Sequence, residues 1–337
     1  MLDIIAKAYT EYGSYLWGQI TLMNDGGLWR NYFWLLVLIS IFFFSLELAK
    51  PWRVNQPKFR KDFWLDFFYM FFNFFFFSLI IYNASSEVVV NLFNKGISGL
   101  TGVNLQSLNP MNSWPLWAIL AIGFLVRDFV QWWVHRLLHK VPRLWEFHKV
   151  HHSVEEMGFA AHLRYHWMET LVYRTLEYIP LALIGIGLHD FFLIHIFTLA
   201  WGHYNHANFS VSSRLTGGLV LSLITLFVVT TEHSLSVPVI LGITAAGFLV
   251  GAIALGPLMK KIFNSPEMHI WHHAYDLPKS HPNGINFGLT LAIWDYIFGT
   301  AVVPNDGRDI KLGFQGIDKF PRTFLQQMTF GFFKRKK

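Results

Sequence analysis

Leu116-Trp-Ala-Ile-Leu-Ala-Ile-Gly-Phe-Leu-Val-Arg127-Asp128-Phe-Val-Gln-Trp-Trp-Val-His135-Arg-Leu-Leu-His139 is an apolar helix that ends in histidine. Its first part closes an uncharged run from Gly96 to Val126, long enough to cross about 30 Å of hydrocarbon as helix. Its last turn sets His135 and His139 four residues apart, on one helix face, where two imidazoles reach a single ion. The stretch joins a membrane segment to a metal-binding one, and the rest of the chain divides on either side of it.

On the N-terminal side there is no histidine at all, and uncharged runs recur at Asn31 to Leu46 and Phe67 to Ser86. With 53% apolar and 18% aromatic residues the chain is too apolar for an ordinary soluble fold. Phe67 to Phe77, rich in phenylalanine, reads as lipid-facing helix. The first 30 residues, with Ile4, Tyr9, Leu16 and Trp17 among few charges, read as an interfacial helix. Lys50, Arg53, Lys58, Arg60 and Lys61 crowd the loop between the first two runs, whereas Ser86 to Ser113 carries only Lys95. The positive-inside rule makes the former loop cytoplasmic. The N-terminus is then outside, and everything from about His135 to the basic end Lys334, Arg335, Lys336, Lys337 faces the cytoplasm. The net charge of +6 is spread over these loops, which fits lipid headgroups and membrane topology rather than nucleic acid. No cleaved leader is expected, since a basic n-region and cleavage site are lacking.

All 16 histidines lie from His135 onward, and the chain has no cysteine. Disulfides, thiolate haem ligation and iron-sulfur clusters on this chain are thereby excluded. The pattern His148-x-x-His151-His152 recurs as His269-x-x-His272-His273. Spacing of i, i+3 and i+4 presents three imidazoles, the adjacent pair splayed enough to serve two neighbouring ions. With His135 and His139 these make eight ligands, too many for one ion and suited to two. Burying so much imidazole without a partner would cost several kcal/mol. Further candidate ligands are His166, followed by Glu169 as a carboxylate to orient it, and His203 and His206 at the close of an apolar segment. Asp128, two turns before His135, and Asp295 in Trp294-Asp-Tyr-Ile-Phe-Gly-Thr300 are candidates for the same orienting work. His162, His189, His195, His233 and His281 read as ordinary structural histidines.

In order along the chain, His135-Arg-Leu-Leu-His139, His148-Lys-Val-His-His-Ser153, Arg164-Tyr-His166-Trp-Met-Glu169, His206-Ala-Asn208, Ser265-Pro-Glu-Met-His269-Ile-Trp-His-His273 and Trp294 to Thr300 resemble the fatty acid hydroxylase and sterol desaturase superfamily. The likeness covers about residues 115 to 305. Leu255-Gly-Pro-Leu-Met-Lys-Lys-Ile-Phe-Asn-Ser-Pro266 also resembles the alkylglycerol monooxygenase branch. The resemblance implies an all-α polytopic membrane protein whose cytoplasmic-face helical cap carries two non-haem irons, uses O₂, and draws two electrons from a ferredoxin or cytochrome b5. It implies a lipid-like substrate, sterol, fatty acyl, ether lipid or carotenoid, entering from the bilayer to be hydroxylated or desaturated. Attack on an unactivated C–H bond needs a redox-active metal, so zinc would not serve. Asn208, in His206-Ala-Asn208, joins Asp128, Glu169 and Asp295 as an expected neighbour of the ligands.

The chain departs from that family between His206 and Gly256, where about 40 extra residues include the uncharged runs Thr216 to Thr231 and Ser234 to Met259. Motifs on both sides must share one membrane face, so the reading is an apolar hairpin inserted at about 214–257, broken near Glu232, His233 and Pro238. A single long helix would strand the last histidine motif on the far side. By the same parity, Tyr178 to Gly202 reads as a shallow re-entrant hairpin. The expected organisation is an anchor over 1–112, a catalytic domain over 113–305 and a basic cytoplasmic tail over 306–337. A bacterial inner membrane is expected, or an ER membrane in a eukaryote. The competing readings are a zinc-dependent membrane hydrolase, against which the chain lacks HExxH, and a histidine-rich metal-binding protein whose oxygenase site the insert disables. A metal transporter would want polar residues inside the long apolar runs, where Phe67 to Ser86 offers only asparagine, serine and tyrosine, and a di-haem cytochrome would want histidines on opposite spanning helices, of which the anchor half has none.

Overall fold

A computed structural model describes residues 2–23, 27–73, 95–96, 99–100, 102, 114–183, 188–232 and 235–332. Among these the structure is helical, with only the isolated bridges Phe263 to Leu291 and Ala274 to Leu312, as the histidine spacing and apolar runs required. In chain order the helices are α1 (Leu2–Thr21), α2 (Tyr32–Ala49), α3 (Phe63–Tyr69), α4 (Leu116–Lys140), α5 (Pro142–His152), α6 (Trp167–Leu183), α7 (Leu188–His206), α8 (Ser213–Glu232), α9 (Val237–Val250), α10 (Met259–Ile262), α11 (Pro266–His272), α12 (Ile293–Ile297) and α13 (Phe324–Thr329). Among the described residues four segments are long and apolar enough to cross a membrane: Tyr32–Ala49, Leu116–Lys140, Ser213–Thr231 and Val237–Ile262. Most of the run Phe67 to Ser86, the start of the run from Gly96, His233 and the basic end Lys334 to Lys337 lie outside the described residues.

Local chemistry sets the element boundaries. Asn31 caps α2 by accepting from the Trp34 amide at 2.9 Å, while its own amide group donates to the Gln19 carbonyl and ties α1 to the start of the span. Val141 ends α4, and Pro142 opens α5 at the position where a missing N–H costs nothing. The chain therefore turns at once, and the histidines of α5 fold back beneath those of α4. Ser265 and Pro266 start α11 in the same way, with Ser265 accepting from the Met268 amide.

The extra residues form α8 and α9, which pack along each other with glycine at the contact. A Cβ on Gly251 would stand 2.3 Å from the Gly217 carbonyl oxygen, and one on Gly247 2.5 Å from Thr225 Oγ1. Small residues at such positions let two apolar helices approach closely where lipid offers no hydrophobic drive between them. After α9 the chain passes through a π turn at Gly251–Leu255 and a 3₁₀ turn at Gly256–Leu258 into α10. Gly256 lies against Arg214 at the start of α8, so the pair leaves and rejoins the fold at one place.

The expected shallow hairpin from Tyr178 to Gly202 is instead the junction of two longer helices, α6 and α7, of 17 and 19 residues. The sequence reading stopped at the charge of Glu177, but α6 runs straight through it. Glu177 is buried in an ion pair with Arg127 of α4, which removes the reason for the helix to break there. A second correction concerns 306–337, expected as a tail. Phe314, Ile317, Phe320 and Met328 are buried beside Val150, and Gln327 accepts from the Tyr69 hydroxyl at 2.8 Å. Through residue 332 this segment covers α5 rather than trailing from the fold.

The main core joins Tyr32, Leu36, Phe43 and Phe63 to Phe159, Leu199, Trp201 and Tyr204, so α2 and α3 back the helix that presents His206. Arg164 beneath it is buried and held by Asp62 and Asp66 at 2.9 and 3.0 Å.

Candidate metal centre

Nine histidines converge in two buried groups: His135, His139, His148, His152 and His272, and beside them His151, His206, His269 and His273. The paired motifs divide as their spacing allows. His151 and His152 point to different groups, and so do His272 and His273, because adjacent residues on a helix are about 100° apart. Within each group the ligand atoms lie within 4.8 Å of one another. Nε2 atoms face each other across 3.2 Å for His135 and His148, 3.1 Å for His152 with both His139 and His272, 3.0 Å for His206 and His269, and 3.4 Å for His206 and His151.

The fit to metal can be tested on the opposite side of each ring. His135 Nδ1–H donates to the Phe287 carbonyl at 2.7 Å, His272 to Ile285 at 2.8 Å and His206 to Gly202 at 2.8 Å. A carbonyl can only accept, so these three rings carry their proton on Nδ1 and turn an Nε2 lone pair inward. Burial, reinforced by the neighbouring imidazoles, holds His148, His151, His152, His269, His272 and His273 well below the usual histidine pKa. Neutral rings packed lone pair to lone pair repel unless a cation lies between them. Two nitrogens each about 2.1 Å from one ion and 90–110° apart stand roughly 3.0–3.4 Å from each other, which is the spacing found here. The donor set fits two metal ions.

Glu169 Oε1 lies 3.0 Å from His148 Nδ1, though off the hydrogen-bond line. Burial pushes this carboxyl well above its usual range, and a cation on the far side of His148 would favour the ionised form. Glu169 therefore serves His148, not His166 as its spacing suggested. His166 stands apart from both groups, packed between Phe147 and Phe332 with Nδ1 accepting from the Met168 amide. His203 also stands apart. It lies one turn back from His206, and its ring lies 3.1 Å from the Leu199 carbonyl and from His162 Nδ1 and 3.3 Å from Ser40. His162, read as structural, comes closer to the centre, 5.2 Å ring to ring from His206. Only glycine at 202 makes room for it, since a Cβ there would stand 2.1 Å from its ring.

Among the described residues, neither Asp128 nor Asp295 hydrogen-bonds a histidine. Asp128 accepts from the amides of Thr290 and Leu291 and from Trp294 Nε1, and Asp295 from the amides of Phe287 and Gly288 and from Trp132 Nε1. Together they pin the loop 285–291 to α4, and the Phe287 carbonyl in that loop orients His135. Asn208 likewise binds backbone, accepting from the Arg53 amide at 2.7 Å and so joining the end of α7 to the end of α2.

Among the described residues, hollows reach the centre from different sides. An open groove of about 570 Å³ touches His139, His152 and His272 and carries Lys140, Lys149 and Lys279. An inner cavity of about 90 Å³ touches His206 and His269 and is lined by Arg127, Gln131, Tyr173, Glu177 and Asn205. Arg127 pairs with Glu177 and contacts Thr198 and His195. These polar residues were not singled out as a site by sequence. The signal was there in Arg127 and Gln131 on an apolar helix and in Glu177 on another.

Helices of membrane-crossing length and two histidine-only groups that could each hold a metal ion define the class of protein. The profile of the fatty acid hydroxylase family matches residues 120–235 and 210–300, and the chain belongs to that family. The two matched stretches overlap over residues 210–235, which take in the whole of α8, where the extra residues begin. The chain is 27% identical to ornithine lipid hydroxylase OlsE of Rhizobium tropici over 65% of this chain and 51% of that one. It is 29% identical to alkylglycerol monooxygenase of Homo sapiens, over 55% and 31% respectively. With very-long-chain aldehyde decarbonylase GL1-10 of Oryza sativa subsp. japonica it shares 32% identity over 34% and 37%. The chain spans about half the length of the first of these relatives and less of the other two. No solved structure matches it.

Proposed function

We propose that this chain is a membrane-bound di-iron oxygenase that hydroxylates or desaturates a lipid-like substrate with O₂ and electrons from an external carrier. The observation that carries the reading is the pair of buried groups of five and four imidazoles whose Nε2 lone pairs converge. Membership of the fatty acid hydroxylase family supports it, as do relatives named for acting on ornithine lipid, alkylglycerol and long-chain aldehyde.

His135, His139, His148, His152 and His272 would hold one iron, and His151, His206, His269 and His273 the other. The irons supply O₂ activation and the redox equivalents for breaking an unactivated C–H bond. The chain's own residues do the rest. The carbonyls of Gly202, Ile285 and Phe287 fix tautomer and ring orientation, and Glu169 raises the basicity of His148. Burial of eight of the nine rings, His139 alone being part-exposed at the groove, limits the access of bulk water to the reacting centre. The four-histidine side adjoins the inner cavity, which suits it to the substrate. The lysine-rimmed groove on the five-histidine side suits an acidic carrier of the ferredoxin or cytochrome b5 type. The basic loop after α2, tied to the same end of the fold through Arg53 and Asn208, supports an active site on the cytoplasmic face. The bacterial inner membrane, or the ER membrane in a eukaryote, is the location proposed.

Elemental analysis of detergent-purified protein tests the reading. Two irons per chain are expected, with the His272→Ala/His273→Ala double variant losing at least half, since the two rings belong to different groups. Only a trace of metal in freshly prepared folded protein would defeat the proposal.

A further inference from the structure

A second open groove, of about 670 Å³, lies at the ends of the spans, and no histidine lines it. Three of the four membrane-crossing segments meet its wall: Tyr32–Ala49 stops one residue before Lys50, Ser213–Thr231 starts one residue after Ser212, and Val237–Ile262 carries Lys260 in its last turn. A molecule held there stands at the level of the lipid headgroups. Within three residues of those positions, on the span side of each, Leu48, Leu215 and Leu258 are exposed, so apolar surface adjoins the groove toward the bilayer. Two of the three spans belong to the helices α8 and α9, so the groove lies with the extra residues and apart from the metal centre.

Lys50, Lys260 and Arg308 line the groove against Glu267 and Asp306, an excess of one positive charge. Lys260 pairs with Glu267 at 3.0 Å and Arg308 with Asp306 at 3.3 Å, which leaves Lys50 as the cation with no acidic partner among the described residues. Ser212, Ser265 and Asn305 each accept a backbone amide, from Leu215, Met268 and Gly307, and keep a donor to give; Tyr296 brings its hydroxyl to the same wall. An unpaired ammonium among spare donors suits a phosphate. Glu267 adds a second requirement. Its side chain is 12% exposed, Oε1 accepts from Lys260 and Ser210, and Oε2 has no hydrogen-bond partner. A buried carboxylate oxygen calls for a donor, and a neutral one suits it better than a cation, since Lys260 already stands at the other oxygen. We propose that this groove holds the head of an anionic phospholipid that carries a hydroxyl, with its phosphate on Lys50, its hydroxyl on Glu267 and its acyl chains along Leu48, Leu215 and Leu258. Phosphatidylglycerol has that chemistry, a single negative charge with neutral O–H donors. An ethanolamine head would set an ammonium beside Lys260, and a choline head has no N–H or O–H to donate.

The test is native mass spectrometry of the full chain in detergent, titrated with phospholipids of identical acyl chains. Phosphatidylglycerol is expected to bind about tenfold tighter than phosphatidylcholine. Phosphatidylmethanol, which has the charge but no hydroxyl, should bind about threefold more weakly than phosphatidylglycerol. Lys50→Gln should weaken phosphatidylglycerol about fivefold and leave phosphatidylcholine in place. Lys279→Gln, in the groove beside His139, should change neither. Glu267→Met should erase the difference between phosphatidylglycerol and phosphatidylmethanol, with melting curves confirming that each variant folds. Soluble glycerophosphoglycerol at the same concentration should not displace the lipid, and displacement by it would defeat the assignment to a lipid. No preference for phosphatidylglycerol over phosphatidylcholine, a preference that Lys50→Gln leaves intact, equal binding of phosphatidylmethanol, or tightest binding of phosphatidylethanolamine would overturn the inference.

Discussion

Glu169 shows how much a single side chain can depend on which neighbour the fold gives it. Three residues after His166 it had the spacing to orient that ring, yet α6 turns it toward His148 on α5, 3.0 Å away. Removing its charge should loosen the five-histidine group without emptying it. Glu169→Gln is expected to shed iron to a chelator about 10- to 100-fold more readily than the parent, the usual effect of losing a carboxylate behind a ligand histidine. Unchanged resistance to chelation would mean that the carboxylate plays no part in the centre. His166 and His203 make the complementary point. His203 sits three residues before the convergent His206, but helical phase sends its ring to Leu199 and Ser40, while His166, just before α6, packs on Phe147.

At the scale of elements, the paired helices α8 and α9 are the chain's own addition to the pattern its motifs resemble. Their contact depends on backbone approach at Gly217 and Gly251, and neither glycine is near a histidine of the centre. Gly251→Leu should therefore overpack the pair, destabilising the protein by about 1–3 kcal/mol. The expected reading is a lower melting temperature in detergent with iron content per folded chain unchanged. Loss of iron at an unaltered melting temperature would show that the pair supports the centre directly. The return of α9 through Gly256 to Arg214 brings α11 back beside α7, which is what lets His269 meet His206 at 3.0 Å. The insert therefore leaves the histidine site assembled.

For the molecule as a whole, a buried nest of neutral imidazoles makes folding dependent on pH. His148, His151, His152, His269, His272 and His273 have folded pKa values well below 6.5, and burial holds His206 at about 3. The unfolded chain takes up protons as pH falls through 6.5, while the folded metal-free chain does not. The stability of the metal-free protein should be fully present above that value and decline steadily below it. A melting temperature that stays flat between about pH 7 and pH 5 would contradict this. Sequence alone determined the all-helical class, the helices of membrane-crossing length and the eight motif histidines that gather in the two groups, because period and spacing are local properties that survive any packing. It did not determine which of His166, His203 and His206 joins them, the polar cavity formed by Gln131, Glu177 and Asn205, or the folding of residues 306–332 over α5. Those belong to the tertiary structure, since each depends on which distant helix supplies the partner, and a charge such as Glu177 reads as a helix boundary until Arg127 is found beside it.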